Sequence, residues 1–280
     1  MSENSNISPE KPLLLVGCGR MGTALLNGWL RAGLPGNTVK ILDPDAKAAS
    51  SRISSIDPEY FIDRVSSLPR DFAPSFIILA VKPQMMDQAL ADLKAIDSRA
   101  ALFLSIAAGK SIGYFSRHLG PQAAIVRAMP NTPAAISRGI TVACANPKAS
   151  EKQKSVCHHL LNAVGEVEWI TDEGLMDAVT AVSGSGPAYV FYLVEALAKA
   201  GEQVGLEPEL AGKLAKHTVC GAGALLEQSD EDAARLRINV TSPAGTTEAA
   251  LKVLMGENGL AKLMEEAVRA AEQRSRDLAD

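Results

Sequence analysis

Aromatic side chains are scarce in this 280-residue chain: two Trp, four Tyr and six Phe make up 4% of it. The net charge is −4 and no basic stripe is present. Stacking platforms and cationic surfaces are thus missing, which argues against nucleic acid as a partner. Long apolar runs are missing as well. Stretches such as 76–81 fall far short of the roughly 20 residues that cross a bilayer. Cysteine is sparse, and Cys18, Cys144, Cys157 and Cys220 show no Cys-x-x-Cys spacing, so neither a disulfide framework nor a zinc motif is expected. Cys157 precedes His158 and His159, but adjacent helical residues diverge and do not converge on one ion. Residues 1–11 are polar, without the apolar stretch of an export signal. They are expected to be a disordered tail on a cytoplasmic protein.

What is present is ordinary globular material, 47% apolar and 21% charged. The length suits one large or two modest domains. Through residue 171, short apolar runs alternate with helical patterns. Strands are expected at 13–16, 39–42, 75–81, 102–106 and 124–128, with further candidates at 139–143 and 165–170. This alternation predicts an α/β domain over 12–171, a parallel sheet covered on both faces. From residue 172 to 280 the pattern becomes helical. Val190, Leu193, Val194 and Leu197 share one face, and Leu263, Met264, Ala267 and Val268 another. So few helices make a thin core, which points to burial against a second subunit.

Gly17-Cys18-Gly19-Arg20-Met21-Gly22 follows the first strand and opens a helix. The first glycine suits a tight turn, the second lets backbone approach a pyrophosphate, and the third lets helix pack on strand. Asp43 ends the second strand. A carboxylate there accepts bonds from ribose hydroxyls and repels a 2′-phosphate, so the domain is expected to be of the Rossmann type with a leaning to NADH over NADPH. Lys47, Ser51 and Arg52 lie near enough to hold a phosphate if Asp43 turns away. Three later strand ends repeat one theme: Ala80-Val81-Lys82-Pro83, Ala107-Ala108-Gly109 and Met129-Pro130-Asn131. Ligands of parallel sheets bind at such carboxyl ends, and Asn131 offers a carboxamide partner.

Two polar segments punctuate the helical half. Ser183-Gly184-Ser185-Gly186-Pro187 precedes a long helix, with serines suited to a cap and Pro187 to its start. Thr241-Ser242-Pro243-Ala244-Gly245-Thr246-Thr247 leads into another helix. Unpaired N–H groups at a helix start make an anion site. The amides of Gly245, Thr246 and Thr247 are therefore candidates to hold a substrate carboxylate. No Ser-His-Asp set and no obvious general base accompany these motifs. Hydride transfer to an already electrophilic carbon fits that composition, because orientation and charge compensation are the work required.

These residues resemble the pyrroline-5-carboxylate reductases. The likeness runs from Leu13 to Arg276 and rests on the glycine fingerprint, Ala80-Val81-Lys82-Pro83-Gln84, Met129-Pro130-Asn131-Thr132-Pro133, the Ser183–Tyr189 segment and residues 241–247. The resemblance implies reduction of a cyclic imine by NAD(P)H to L-proline, the last step of proline biosynthesis. It implies that Thr247 lies beside the imine nitrogen, with Ser242, Gly245 and Thr246 around the carboxylate and Asn239 and Glu173 lining the site. It places Ser67 at the adenosine end. It also implies an all-α C-terminal dimerisation domain, with dimers often assembled, five together, into decamers. Active sites in that family lie between one chain's nucleotide domain and its partner's helices.

The chain departs from the family pattern at four positions: Ala244 for a glycine, Ile238 for an acidic residue, Arg20 for an asparagine and Ser67 for an asparagine. Two other readings compete. A β-hydroxyacid or 6-phosphogluconate-type dehydrogenase needs a lysine on the interdomain helix, where this chain offers only Lys199. A non-catalytic NAD(P)-sensing protein needs no Thr246-Thr247 pair.

Overall fold

The computed structural model describes residues 7–278. Eight strands form one sheet in the order β3-β2-β1-β4-β5-β6-β7-β8. They are β1 Leu13–Val16, β2 Val39–Leu42, β3 Phe61–Ile62, β4 Phe76–Leu79, β5 Leu102–Ser105, β6 Ala124–Met129, β7 Gly139–Ala145 and β8 Gly165–Trp169. The helices are α1 Arg20–Arg31, α2 Ala46–Ser51, α3 Met86–Asp92, α4 Ile112–Leu119, α5 Glu151–Asn162, α6 Met176–Val179, α7 Gly186–Gln203, α8 Pro208–Gln228, α9 Ala233–Asn239, α10 Thr246–Leu254 and α11 Leu260–Asp277.

Strand side chains alternate faces, and here both faces are apolar. Leu13 and Leu15 enter one core cluster with Trp29, Ile41 and Ile78, while Leu14 and Val16 enter the other with Ile77, Phe103 and Phe115. Such strands are buried on both sides, as in helix-covered parallel sheets. Trp29 fixes α1 on α5 by donating its indole N–H to the Leu160 carbonyl at 2.7 Å.

The sheet is not wholly parallel, in contrast to the sequence expectation: β6 and β7 run antiparallel. Only residues 130–138, which contain the short turn Thr132–Ile136, join them, whereas a parallel return needs a crossover of about a dozen residues or more. The next connection contains α5, and β7 and β8 are accordingly parallel. Strand β3, with two residues, went unseen because so short a run has no periodicity.

Two compact units divide the chain between Gly184 and Ser185, and residues from Glu272 onward rejoin the first. The pattern change at residue 172 lies earlier because Met176 and Ala181 are buried in the sheet-bearing unit. Ser275 reaches that unit too, donating to Asp177 at 2.7 Å. The expected tail is corrected in part. Ile7 is buried, and Ser8 bridges Lys11, since an apolar residue there finds the core. Residues 1–6 lie outside the described residues.

The unit Ser185–Ala271 is helical. Its α7–α8 corner turns at Gly205, φ +99°, and closes tightly because Gly201 leaves room for Leu206 and Ala211. Few of its side chains are buried, Ala211 and Ala215 among them, while Val190, Phe191, Tyr192, Leu193, Leu214 and Leu263 are exposed. A Cβ added at Gly212, Gly221 or Gly223 would meet nothing within 4 Å among the described residues.

Candidate active site

Chain order reverses between β1 and β4, and the crevice at their carboxyl ends is where open α/β sheets bind ligands. Gly17 turns there with φ +92°, and its N–H donates to the Leu42 carbonyl at 2.8 Å. A Cβ on Gly17 would lie 2.9 Å from the Ala80 carbonyl, and one on Gly22 would collide with the Gly17 carbonyl oxygen. Gly19, by contrast, faces open space and caps α1 without a side chain. Its neighbours Arg20 and Met21 start the helix, with Arg20 exposed. The arrangement leaves helix N–H groups and dipole free to meet a pyrophosphate. Beside it Val16, Leu42, Pro44, Val65 and Val81, together with the polar residues Asp63, Arg64, Gln88 and Asp92, line a cleft of about 120 Å³. A larger hollow of about 620 Å³ opens by Ser75 and Phe76 at the start of β4, at the other end of the strands, away from this chemistry.

Asp43 is pinned. One carboxylate oxygen accepts the Cys18 N–H at 2.7 Å and the other the Asp45 N–H at 3.0 Å. It therefore cannot turn away without abandoning two amides. Arg52 donates to the Cys18 carbonyl at 2.9 Å, which puts a guanidinium at the same turn. Ser67 donates its hydroxyl to Asp63 at 3.3 Å, and Asp63 rather than Ser67 lines the cleft.

The other strand ends serve mixed roles. Lys82 is exposed and precedes Pro83, which starts a short turn. The Ala107 N–H donates to Ser105, and Gly109 has φ +74°. Pro130 is buried, and Met129 packs so closely on Gly184 that a Cβ there would stand 2.5 Å from its methyl. Asn131 donates to the Ser183 carbonyl at 3.2 Å and accepts from the Ile140 N–H at 3.0 Å. Its carboxamide thus ties β6 to β7 and to the 180–184 segment. That segment is a π-helix, with Ser183 donating to the Val179 carbonyl at 3.0 Å. The serines do not cap α7: Ser185 stands at its N-cap without a side-chain bond. π-turns of this kind recur at functional sites.

Glu173 is committed to the sheet-bearing unit. One oxygen accepts from Arg127 at 3.0 Å and from the Ile112 N–H at 2.8 Å. Arg127, on β6, is buried and was not singled out in the sequence, because a lone arginine inside an apolar strand carries no pattern. Burial pushes the Cys18, Cys144 and Cys157 thiols above their ordinary range, so none is poised as a nucleophile.

The turn before α10 lies in the helical unit. The Gly245 N–H donates to the Ser242 carbonyl at 3.0 Å, so this amide, expected to face a carboxylate, is spent on closing the turn. Gly245 is the N-cap and has no side chain to offer the first helical turn. The amides of Thr246 and Thr247 therefore lack an N-cap partner, which is what an incoming anion needs. Thr241 bonds back to the Arg237 carbonyl, and Asn239 donates to Glu231, each at 2.7 Å. Ala244 adopts φ +56°, a conformation that costs a residue with a Cβ roughly 1 kcal/mol. Glu248 accepts its N–H at 2.7 Å.

The carboxyl-terminal residues 173–278 match the family model described as pyrroline-5-carboxylate reductase dimerisation. The pyrroline-5-carboxylate reductase of Pseudomonas aeruginosa is 40% identical, over 96% of this chain and 97% of that protein. The chain belongs to the pyrroline-5-carboxylate reductase family. Residues 13–109 match a second model, NADP oxidoreductase coenzyme F420-dependent. The Mycobacterium tuberculosis pyrroline-5-carboxylate reductase is 36% identical over 95% of this chain and 96% of its own. Among solved structures, the reductase of Coxiella burnetii superposes with a TM-score of 0.86 at 32% identity, covering 97% of this chain and 99% of the other. The Plasmodium falciparum enzyme, solved with NADP bound, gives 0.80 at 29% identity over 96% and 98%.

Proposed function

We infer that this chain reduces 1-pyrroline-5-carboxylate to L-proline, the closing step of proline biosynthesis. The observation that carries this reading is the turn before α10, where Thr246 and Thr247 present uncapped amides and a hydroxyl at one helix start. When bound, NAD(P)H supplies a hydride to the carbon of the imine C=N bond. The glycine turn at 17–22 holds the pyrophosphate, and the cleft by Val16, Leu42 and Val65 takes the adenine. The Thr246 and Thr247 amides bind the substrate carboxylate. The Thr247 hydroxyl, or water that it orients, delivers the proton to the nitrogen as its lone pair forms. No residue needs to act as a strong base, because the imine is already an electrophile. Lys199, which a hydroxyacid dehydrogenase would use, pairs instead with Glu202 at 3.4 Å and is largely exposed.

We further propose NADH as the preferred cofactor. Asp43 is held in place by two amides, and a fixed carboxylate repels a 2′-phosphate at the ribose. The exposed apolar faces of α7, α8 and α11 and the match to a dimerisation model support a homodimer, and we extend this to decamers of five dimers. We place the enzyme in the cytoplasm; no helix among the described residues is long and apolar enough to cross a membrane.

The test is steady-state kinetics of the purified protein with the imine and each cofactor. Proline formed with stoichiometric cofactor oxidation is expected, and absence of oxidation refutes the reading. Thr247→Ala should lower kcat by on the order of 10²-fold, the scale of one positioned proton donor, with the cofactor KM unchanged. An unaltered kcat would remove Thr247 from the chemistry.

A further inference from the structure

The residue that breaks the family pattern in the substrate turn stands next to a device that accommodates it. Pro243 and Ala244 occupy the centre of a turn closed by the Gly245 N–H on the Ser242 carbonyl at 3.0 Å. Proline followed by a positive-φ residue is the type II arrangement, which asks for glycine at the second place. Here Ala244 fills it with φ +56°. A β-carbon in that conformation favours relaxation of the turn, and relaxation would carry Gly245 and the first amides of α10 with it.

Glu248 opposes that relaxation. It is the third residue of α10, and its Oε2 reaches back over the first turn to accept the Ala244 N–H at 2.7 Å. In a capping box the residue at this place binds the N-cap amide. The N-cap amide, that of Gly245, is already committed to Ser242, so the carboxylate takes the preceding one. Lys252, one turn further along, stands 3.9 Å from the same oxygen and moderates the charge that Glu248 brings close to an anion site. The side chain is only partly exposed, at 40%. Ionised hydrogen bonds of this length are among the stronger ones a side chain makes to backbone.

We propose that Glu248 is a positioning residue for substrate binding: by holding the Ala244 amide it keeps the strained turn closed and the Thr246 and Thr247 amides aligned on the substrate carboxylate. The proposal rests on the reading that these amides bind that carboxylate. It assigns Glu248 no contact with substrate and couples it to Ala244, whose side chain creates the need.

The experiment is a cycle of E248A, E248Q, A244G and A244G/E248A in the full-length enzyme. It reads the KM for 1-pyrroline-5-carboxylate, the KM for cofactor, kcat, and hydrogen exchange of the Gly245 amide. E248A should raise the imine KM about tenfold, the scale of one charge-assisted hydrogen bond, leave the cofactor KM unchanged, and speed Gly245 exchange by a similar factor. E248Q, which keeps an acceptor oxygen, should recover most of the loss. In the A244G background, E248A should change the imine KM less than threefold, because glycine adopts the turn without strain. Equal effects of E248A in both backgrounds, unchanged Gly245 exchange, or a lower imine KM in E248A would each overturn the proposal. Faster exchange with an unchanged imine KM would instead refute the assignment of the turn to substrate while Glu248's hold on it stands.

Discussion

Glu173→Ala should destabilise the sheet-bearing unit and leave the imine KM alone. Glu173 accepts from Arg127 at 3.0 Å and from the Ile112 N–H at 2.8 Å. The Arg127 side chain is 10% exposed and that of Glu173 28%. Stranding a buried charge by deleting its partner costs about 3–5 kcal/mol. Here the partial exposure of Glu173 lets water reach the guanidinium, which lowers the expected cost to about 2–3 kcal/mol. For a unit of this size each kcal/mol moves Tm by about 2–4 °C, so thermal unfolding should fall by about 5–10 °C. Glu173→Gln keeps an oxygen for both donors and loses only the charge, so about half that shift is expected. Circular dichroism melts of the three proteins, with steady-state kinetics on each, provide the assay. A melt within about 1 °C of the parent, or a raised imine KM at unchanged stability, would refute the assignment. The second result would return Glu173 to the substrate site that the family resemblance implied.

Two other outcomes follow from the geometry. Asp43→Asn keeps one acceptor oxygen for a backbone amide and removes the charge, so kcat/KM with NADPH should gain on NADH by about tenfold, or about 1.4 kcal/mol; a ratio unchanged in paired kinetics would clear Asp43 of cofactor choice. Asp97 is held at about 2 by side-chain and backbone hydrogen bonds involving Arg99. A depressed carboxyl contributes stability above its ordinary value near 3.8 and loses it as pH falls toward about 2. The stability difference between parent and Asp97→Asn that comes from the charge should therefore be constant above about pH 5, shrink as pH falls through the folded value near 2 and vanish only below it in acid titrations; a gap that does not shrink over this range would refute it.

Much of the first unit was legible because its signals are local. Short, largely apolar runs of four residues between turn residues placed β1 and β2 at their observed bounds, and Gly17 and Gly22 each meet a close approach that a side chain would block, while Gly19 faces open space. The antiparallel β6–β7 pair was less legible, since strand direction depends on the length of a connection that still had to be recognised as a turn. The π-turn at 180–184 left no trace in residue periodicity.

The sequence by itself determined the chemistry on offer: a dinucleotide turn, an acid at the second strand, and amides with hydroxyls at one helix start. Hydrophobic period and turn chemistry are properties of neighbours along the chain, and they survive without coordinates. Only the tertiary structure decided which polar atoms were already spent. Asp43 is locked to Cys18 and Asp45, Asn131 to Ser183 and Ile140, Glu173 to Arg127, and the Gly245 amide to Ser242. For Glu173 and Asn131 the partners Arg127 and Ser183 lie tens of residues away in sequence, where no local pattern can name them.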